Sequence, residues 1–181
     1  MQNLAGSAML ELLTPAEAAH ADQAMVAAGV SIATLMEHAG YAVADQVAAE
    51  SGYGVSIVAV AGPGDNGGDA FVAAEILRVR GFAVALVDLS GGKGGPAASA
   101  ARAAWRGETI PPGDPRLVRA DIVIDGLFGG GLTRPIEGAA ADLVAAVNNS
   151  RARKFSRSTC RRASTARPAP WRGRRSAPIA P

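Results

Sequence analysis

Hydrophobic and polar residues alternate along the first 150 residues in a way that predicts strands interleaved with helices. Continuous apolar runs are typical of strands that are covered on both faces of a sheet, and the predicted strands are 57–61, 83–89 and 121–125. The predicted helices are 14–28, 31–49, 70–80, 97–107 and 137–147. This order predicts a three-layer α/β/α domain with a Rossmann-like parallel sheet and two extra N-terminal helices.

A glycine-rich turn, residues 62–69, joins the first predicted strand to the third predicted helix. Its four glycines allow backbone N–H groups to converge on a ligand at a helix N-terminus, where the partial positive charge favours phosphate. Asp65, Asn66 and Asp69 add side-chain oxygens to the same turn. Carboxylates are unfavourable beside a bare pyrophosphate, so this mixture indicates a site that holds a cation or sugar hydroxyls next to the phosphate.

Other interpretations of the turn depend on its spacing. The glycines at 62, 64 and 67 match the G-x-G-x-x-G spacing of dinucleotide-binding folds formally, but a lone match is weak evidence. A P-loop kinase or NTPase is excluded because no Lys-Ser or Lys-Thr pair follows. A tight strand-to-helix turn capped by Asp or Asn remains the structural alternative.

The longer string at 62–74, Gly-Pro-Gly-Asp-Asn-Gly-Gly-Asp-Ala-Phe-Val-Ala-Ala, resembles the signature of the NAD(P)H-hydrate epimerase family, with Asp65 and Ala70 replacing the commoner Asn and Gly. A second string at 125–132, Asp-Gly-Leu-Phe-Gly-Gly-Gly-Leu, is similar to that family's second motif, and Arg134 and Pro135 follow as in the family. The string Leu-Met-Glu-His-Ala-Gly at 35–40 also resembles the family pattern. The resemblance covers about residues 10–149.

The resemblance implies interconversion of the R and S forms of NADHX and NADPHX, the C6-hydrated forms of the reduced nicotinamide cofactors. It implies that Asn66 and Asp125 hold a potassium ion, and Asp125 and Asp69 are the candidate acid and base. The residues it implies for substrate contact are Asp65, Asn66, Gly67, Gly68, Asp69, Gly129, Gly130, Gly131, Leu132, Thr133, Arg134 and Pro135. An ADP- or ATP-dependent dehydratase is the implied functional partner, and a homodimer through the N-terminal helices is a further hypothesis. A noncatalytic nucleotide-binding or protein-interaction module on the same fold is the alternative function.

Composition indicates the number of domains and the cellular compartment. With 181 residues, 49% of them hydrophobic and 19% charged, the chain can build one domain with a sizeable core. The single cysteine allows no internal disulfide, which favours a reducing cytoplasm. The N-terminus lacks a basic region followed by an apolar stretch, and no apolar run is long enough for a membrane-spanning helix. We therefore expect no membrane partner.

Charge divides the chain at about residue 150. Residues 1–150 contain 8 basic and all 16 acidic residues, a net charge of −8, whereas residues 151–181 contain 10 basic and no acidic residues, a net charge of +10. We therefore expect a leader at 1–10, the epimerase-type domain at 11–150 without its C-terminal strands, and a disordered basic tail at 151–181. The tail has neither aromatic interleaving nor a predicted fold, so nucleic-acid binding is not expected.

The tail also carries a trace of the family's missing third motif. When GC-rich codons are written for residues 158–165 and read in a frame shifted by two bases, they encode Asp-Leu-Pro-Ser-Gly-Ile-Asp. In the family, this motif supplies a further aspartate for the substrate and a serine near the cation. We hypothesise a frameshift at about Ser150, which the nucleotide sequence across this point would test. Codons that cannot regroup in this way would reject it.

Overall fold

A five-stranded parallel sheet forms the centre of the protein in a computed structural model that describes residues 15–129 and 135–155. Its strand order is β3-β2-β1-β4-β5, so β1 is central and the chain reverses its direction of winding between β1 and β4. The strands are β1 (Ser56–Ala61), β2 (Ala83–Asp88), β3 (Glu108–Thr109), β4 (Ile122–Gly126) and β5 (Arg153–Phe155). Ligands of such sheets bind beyond the carboxyl ends of the strands at this reversal point.

Helices cover both faces of the sheet, as predicted. The helices are α1 (Pro15–Ala27), α2 (Ile32–Glu50), α3 (Asp65–Val79), α4 (Pro96–Ala104), α5 (Arg116–Arg119) and α6 (Ala139–Asn149). One core cluster joins α2 and α3 to the sheet through Val47, Phe71 and Ile124. A second cluster joins α5 and α6 to the opposite face through Leu117 and Leu143. The three-layer α/β/α prediction is therefore confirmed.

Local signals explain several helix ends. Gly29, at φ +92°, follows α1 and its amide donates to the Val26 carbonyl at 2.9 Å, as expected for a glycine that ends a helix. Ser31 caps α2 by accepting a hydrogen bond from the Thr34 amide at 3.0 Å. Helix α1 itself is largely exposed along its length.

Helix α3 begins at Asp65, five residues before the predicted start at residue 70. Glycines usually predict a loop, but Gly67 and Gly68 are helical here because their missing side chains permit close packing. A Cβ atom at Gly67 would lie 2.0 Å from the Gly62 carbonyl oxygen, and one at Gly68 would lie 2.4 Å from the Met36 sulfur. The predicted turn is therefore shorter, and Asp65, Asn66 and Asp69 stand on the first two turns of a helix.

The structure also differs from the prediction after residue 150, where a basic tail and no further strand were expected. Residues 153–155 form β5, which pairs in parallel with β4, and the Phe155 side chain is buried in the core. The Arg153 guanidinium donates to the Glu50 carbonyl at 2.7 Å, which anchors the strand to the end of α2. Main-chain pairing and one aromatic side chain thus place a basic segment at the sheet edge. The rest of the predicted tail lies outside the described residues.

Candidate functional site

The turns that follow β1 and β4 touch each other at the carboxyl edge of the sheet. The Gly62 amide donates to the Gly126 carbonyl at 3.1 Å, and a Cβ atom at Gly62 would lie 1.9 Å from the Leu127 carbonyl oxygen. A Cβ atom at Gly126 would lie 2.5 Å from the Ala70 side chain. The glycines therefore permit a backbone-to-backbone approach that brings the two sequence motifs together.

The start of α3 presents backbone donors beside this contact. Gly64 has φ +93°, a conformation that side-chain-bearing residues rarely adopt, and no atom lies within 4 Å of the place its Cβ would take. The Gly68 amide already donates to the Gly64 carbonyl at 3.2 Å. The preceding amides of the first turn, from Gly64 to Gly67, are those that a helix leaves without an intrahelical partner. An anionic group at this position would meet these donors and the positive end of the helix.

A small cavity of about 10 Å³ lies between α3 and the end of β4. It is lined by Val43, Asn66, Asp69, Ala70, Ile124, Asp125 and Gly126. Asp69 and Asp125 are each only 3% exposed. The volume is about that of one water molecule or one small ion.

Hydrogen bonds orient the polar side chains around the small cavity. The Asn66 Nδ2 donates to the Phe128 carbonyl at 3.2 Å, which leaves its Oδ1 as the amide atom able to accept. The Asp125 Oδ1 accepts from the Leu127 amide at 3.1 Å. The end of β4 thus holds Asp125 in place, and the loop after it holds Asn66.

The lining of this cavity is rich in the oxygen atoms that bind hard cations. Its polar lining is oxygen-rich, with two buried carboxylates and an amide oxygen, and such hard oxygen donors are those that alkali and alkaline-earth cations prefer. Burial of carboxylates is costly unless a positive charge or hydrogen-bond donors compensate for it, so a cation is also electrostatically suitable. Among the described residues, no group of three or more His, Cys, Asp or Glu forms a metal cluster.

A larger cleft of about 440 Å³ opens on the other side of Asp69. Its walls come from α1, α2 and the start of α3, and they are Asp22, Gln23, Val26, Ala27, Ile32, Leu35, Met36, Asp65 and Asp69. Its volume is within the range of small-molecule sites, and its lining is mainly apolar with a few carboxylates. Asp69 lines both spaces, so one carboxylate is shared between the larger cleft and the small cavity.

Sequence reasoning did not identify this cleft. Met36 on α2 is 3% exposed and belongs to the core, whereas Ile32 is 51% exposed, and both line the cleft together with Leu35. The α1 residues Asp22 and Val26 carried no chemical motif. Only the resemblance of residues 35–40 to the family pattern pointed to this region.

The remaining predicted substrate contacts have different positions. Gly129 lies near the small cavity, since a Cβ atom there would be 3.7 Å from the Asn66 Cβ. Gly67 and Gly68 are buried, and Pro135 is exposed. The expected contacts at Gly130, Gly131, Leu132, Thr133 and Arg134 lie outside the described residues.

The opposite end of β4 has a different electrostatic character. Asp121 Oδ2 accepts hydrogen bonds from the Ser56 amide at 2.8 Å and from the Ser56 hydroxyl at 2.7 Å. These donors, the amide first, lower the pKa of Asp121 below its ordinary value. This exposed aspartate joins β1 to β4 at the amino ends of the strands, far along the strand from Asp125.

Comparisons with known proteins give a family match and several relatives. The family described as YjeF-related protein N-terminus matches residues 32–157. The chain is 46% identical over 118 residues to an NAD(P)H-hydrate epimerase of Bordetella pertussis, a match that covers 63% of the chain and 51% of that protein. It is 42% identical over 144 residues to an NAD(P)H-hydrate epimerase of Rhodobacter capsulatus, covering 72% of the chain and 67% of that protein. The chain thus spans about half the length of the Bordetella protein.

Two further matches concern domain context and fold. A bifunctional NAD(P)H-hydrate repair enzyme Nnr of Thermofilum pendens is 37% identical over 137 residues, which cover 67% of the chain and 25% of that protein. The crystal structure of yeast ynu0, YNL200c, superposes with a TM-score of 0.63 at 20% identity, covering 76% of the chain and 64% of that structure. This likeness supports the fold alone. Within the described part of the chain, no helix is both long and apolar enough to cross a membrane.

Proposed function

The chain belongs to the YjeF-related protein N-terminus family, and on that premise we propose that it interconverts the R and S epimers of NADHX and NADPHX. One observation carries the proposal: Asn66 and Asp69 on α3 and Asp125 on β4 line a single small cavity at the reversal point of a parallel sheet. The relatives named NAD(P)H-hydrate epimerase add support from sequence.

The proposed chemistry needs one proton donor, one proton acceptor and a fixed ring. The hydrated carbon C6 carries a hydroxyl group and is bonded to the ring nitrogen. An acid protonates the hydroxyl, the C6–O bond breaks, water leaves, and the nitrogen lone pair forms a C6=N bond. Water then adds to the opposite face of C6 and returns a proton to the carboxylate. Asp69 and Asp125 are the described carboxylates that we assign to these proton transfers.

A potassium ion, when bound, would supply a fixed positive charge beside the reacting groups. We propose that Asn66 and Asp125 hold it, on the basis of the oxygen-lined cavity described above. In that arrangement Asn66 is oriented by the Phe128 carbonyl and Asp125 by the Leu127 amide, so both ligands are fixed before the substrate binds.

We place the nicotinamide half of the substrate in the larger cleft between α1, α2 and α3. Its size and apolar lining suit a ring, and Asp69 at its inner end brings a carboxylate to the small cavity. The pyrophosphate would then meet the first-turn amides of α3. Asp65, which is exposed at that turn, would face the sugar hydroxyls rather than the phosphate.

The wider biological setting is part of the proposal. The bifunctional repair enzyme of Thermofilum pendens suggests a dehydratase as the functional partner of this domain. The homodimer through the N-terminal helices and the cytoplasmic location remain predictions from the sequence.

The proposal is tested by epimerisation of purified R-NADHX, followed by chromatographic separation of the epimers in the presence of potassium. We would assay this chain and a version with the reading frame restored at Ser150. Activity in either form supports the proposed function, and activity in the restored form alone also supports the frameshift. No activity in either form would contradict it and favour the noncatalytic nucleotide-binding module.

A further inference from the structure

A network of charged and polar side chains closes the carboxyl end of β2. Asp88 Oδ1 accepts hydrogen bonds from the Ser90 amide at 2.8 Å and from the Ser90 hydroxyl, and Asp88 Oδ2 lies 3.1 Å from the Arg102 Nε. The Arg102 Nη2 donates to the Ser90 hydroxyl oxygen and to the Lys93 carbonyl. The guanidinium also lies over the Phe71 ring, at 5.6 Å from its centroid. Arg102 is therefore held in one position by contacts on several sides.

The loop at residues 90–95 connects this network to the glycine-rich turn. A Cβ atom at Gly94 would lie 3.9 Å from the Gly64 nitrogen, and one at Gly92 would lie 4.0 Å from the Arg102 Nη1. Because only two residues, at most about 7 Å of extended chain, separate Gly92 from Gly94, one short loop borders both the Gly64 turn and the Arg102 guanidinium.

The β1-α3-β2 unit has the geometry of a dinucleotide-binding half. Gly62 makes the close turn against Leu127, Gly64 leaves open space with a positive φ, and Gly67 packs the helix against the strand end. In such units the pyrophosphate lies at the glycine turn and the end of the second strand meets the adenosine ribose. A carboxylate there favours a free 2′-hydroxyl, whereas an arginine accommodates a 2′-phosphate.

We infer that Arg102 and Lys93 form a subsite for the 2′-phosphate of the adenosine ribose, which makes NADPHX the preferred substrate over NADHX. This inference rests on the proposed function. Both Asp88 oxygens are already engaged by Ser90 and Arg102, so Asp88 is a positioning residue rather than a ligand of the ribose hydroxyls.

The free donors of this subsite carry positive charge. Nη1 of Arg102 faces Gly92, and within the described residues it has no hydrogen-bond partner. Lys93 is exposed, and within the same residues no carboxylate forms an ion pair with it. Asp88 pairs with Arg102 and Asp65 lies near Gly95, so two carboxylates balance these two cations in formal charge. A phosphate would therefore be recognised by the open donors of Arg102 and Lys93 rather than by a net positive charge.

The test is calorimetric titration of the whole chain with 2′,5′-ADP and with 5′-ADP, two probes that differ only in the 2′-phosphate. We expect the wild-type protein to bind 2′,5′-ADP more tightly by about tenfold. Arg102→Gln should remove most of this preference, and Lys93→Gln should reduce it by roughly threefold. Arg106→Gln is the matched control, because it removes the same charge just beyond the end of α4, where the Arg106 side chain contacts the Ala103 carbonyl.

Equal affinity for the two probes, binding of neither probe, or an unchanged preference in both Arg102→Gln and Lys93→Gln would overturn the inference. Lys93→Gln is the second variant because it is expected to fold even if Arg102→Gln does not, since Lys93 is exposed and Arg102 is not. The readout is binding and not catalysis, so a chain that prefers 2′,5′-ADP but epimerises neither R-NADHX nor R-NADPHX contradicts the proposed function and leaves the phosphate subsite supported.

Discussion

Carboxylates near the ends of two strands differ in their exposure to solvent and in their partners. In the crevice between β1 and β4, Asp69 and Asp125 are 3% exposed and border a cavity of one-ion size. At the end of β2, the Asp88 side chain keeps 22% of its surface exposed and pairs with Arg102. A desolvated carboxylate interacts strongly with a cation or a reacting proton, whereas a carboxylate paired with arginine mainly fixes that arginine.

Topology explains this difference. The strand β1 is central, and α2 and α3 pack over β1 and β4, which places Asp69 and Asp125 beneath helices. The Asp88 side chain at the end of β2 instead meets the loop at residues 90–95 and Arg102, and it stays partly exposed. The comparison assigns chemistry to the crevice and recognition of the adenosine to the end of β2, and variants on each side can test that division.

The largest effect is expected from Asp125→Asn, which should lower the rate of R-NADHX epimerisation by about a thousandfold because it removes a proton-transfer group and a cation ligand. Chromatographic separation of the epimers measures it. Asp121→Asn is the matched control, since it removes the same charge just before β4, at its amino end, and should retain the rate. Equal losses in both variants would contradict the assignment of the chemistry to the carboxyl edge.

Next in size is the effect of Gly62→Ala, which should destabilise the fold by about 3 kcal/mol because the new methyl group would overlap the Leu127 carbonyl oxygen. Urea unfolding followed by circular dichroism measures the change. At Gly52 a Cβ atom meets nothing within 4 Å, so Gly52→Ala should leave stability nearly unchanged. An unchanged midpoint for Gly62→Ala would mean that the two turns are not in contact.

A smaller effect is expected for Asp65→Asn. Loss of the carboxylate should weaken binding of 5′-ADP by roughly threefold, because Asp65 would no longer accept hydrogen bonds from the sugar hydroxyls as a charged group. Calorimetry measures the affinity, and Asp22→Asn, on the far wall of the larger cleft, controls for a general charge effect. Tighter binding by Asp65→Asn would show instead that this carboxylate mainly opposes the phosphate at the same helix end.

The smallest effect concerns Glu75, which links α3 to Arg106 in the segment that follows α4. Glu75 accepts hydrogen bonds from the Arg78 side chain at 3.0 and 2.6 Å and from the Arg106 amide at 3.1 Å. The Arg78 side-chain hydrogen bond, with a smaller contribution from the Arg106 amide, lowers the pKa of Glu75 below its ordinary value of 4.5, although burial opposes the shift. The stabilisation is therefore complete above pH 4.5 and is lost as the pH falls through the lower folded-state pKa.

We accordingly expect Glu75→Gln to lower the free energy of unfolding by about 0.5 kcal/mol at neutral pH, with the difference disappearing in acid. Urea titrations at a series of pH values measure it. Glu37→Gln provides a control in which the same charge is removed from an exposed position on α2. A difference for Glu75→Gln that grows in acid would contradict the sign of the pKa shift.

The sequence predicted the central strands and the residues at their ends better than the start of α3, the edge strand and the larger cleft. Buried strands end in motifs, and parallel strands align their carboxyl ends, so the meeting of Asn66, Asp69 and Asp125 could be predicted. The start of α3 could not be predicted, because glycines tolerated for close packing look the same in sequence as glycines needed for a loop. The strand β5 was missed because a charged segment can still pair through its main chain at a sheet edge. The larger cleft depends on how α1 and α2 are arranged in space, and residue spacing does not encode that.

The central claim is that Asn66 and Asp125 hold a cation in the small cavity that Asp69 also lines. The most direct measurement is the melting temperature in potassium chloride and in choline chloride at equal ionic strength, for the wild-type protein, Asp125→Asn and Asp121→Asn. A cation that binds only the folded state stabilises it in proportion to the logarithm of its concentration above the dissociation constant. We predict that potassium raises the melting temperature of the wild-type protein and of Asp121→Asn but not of Asp125→Asn. An equal shift in all three proteins, or a shift in none, would contradict the claim.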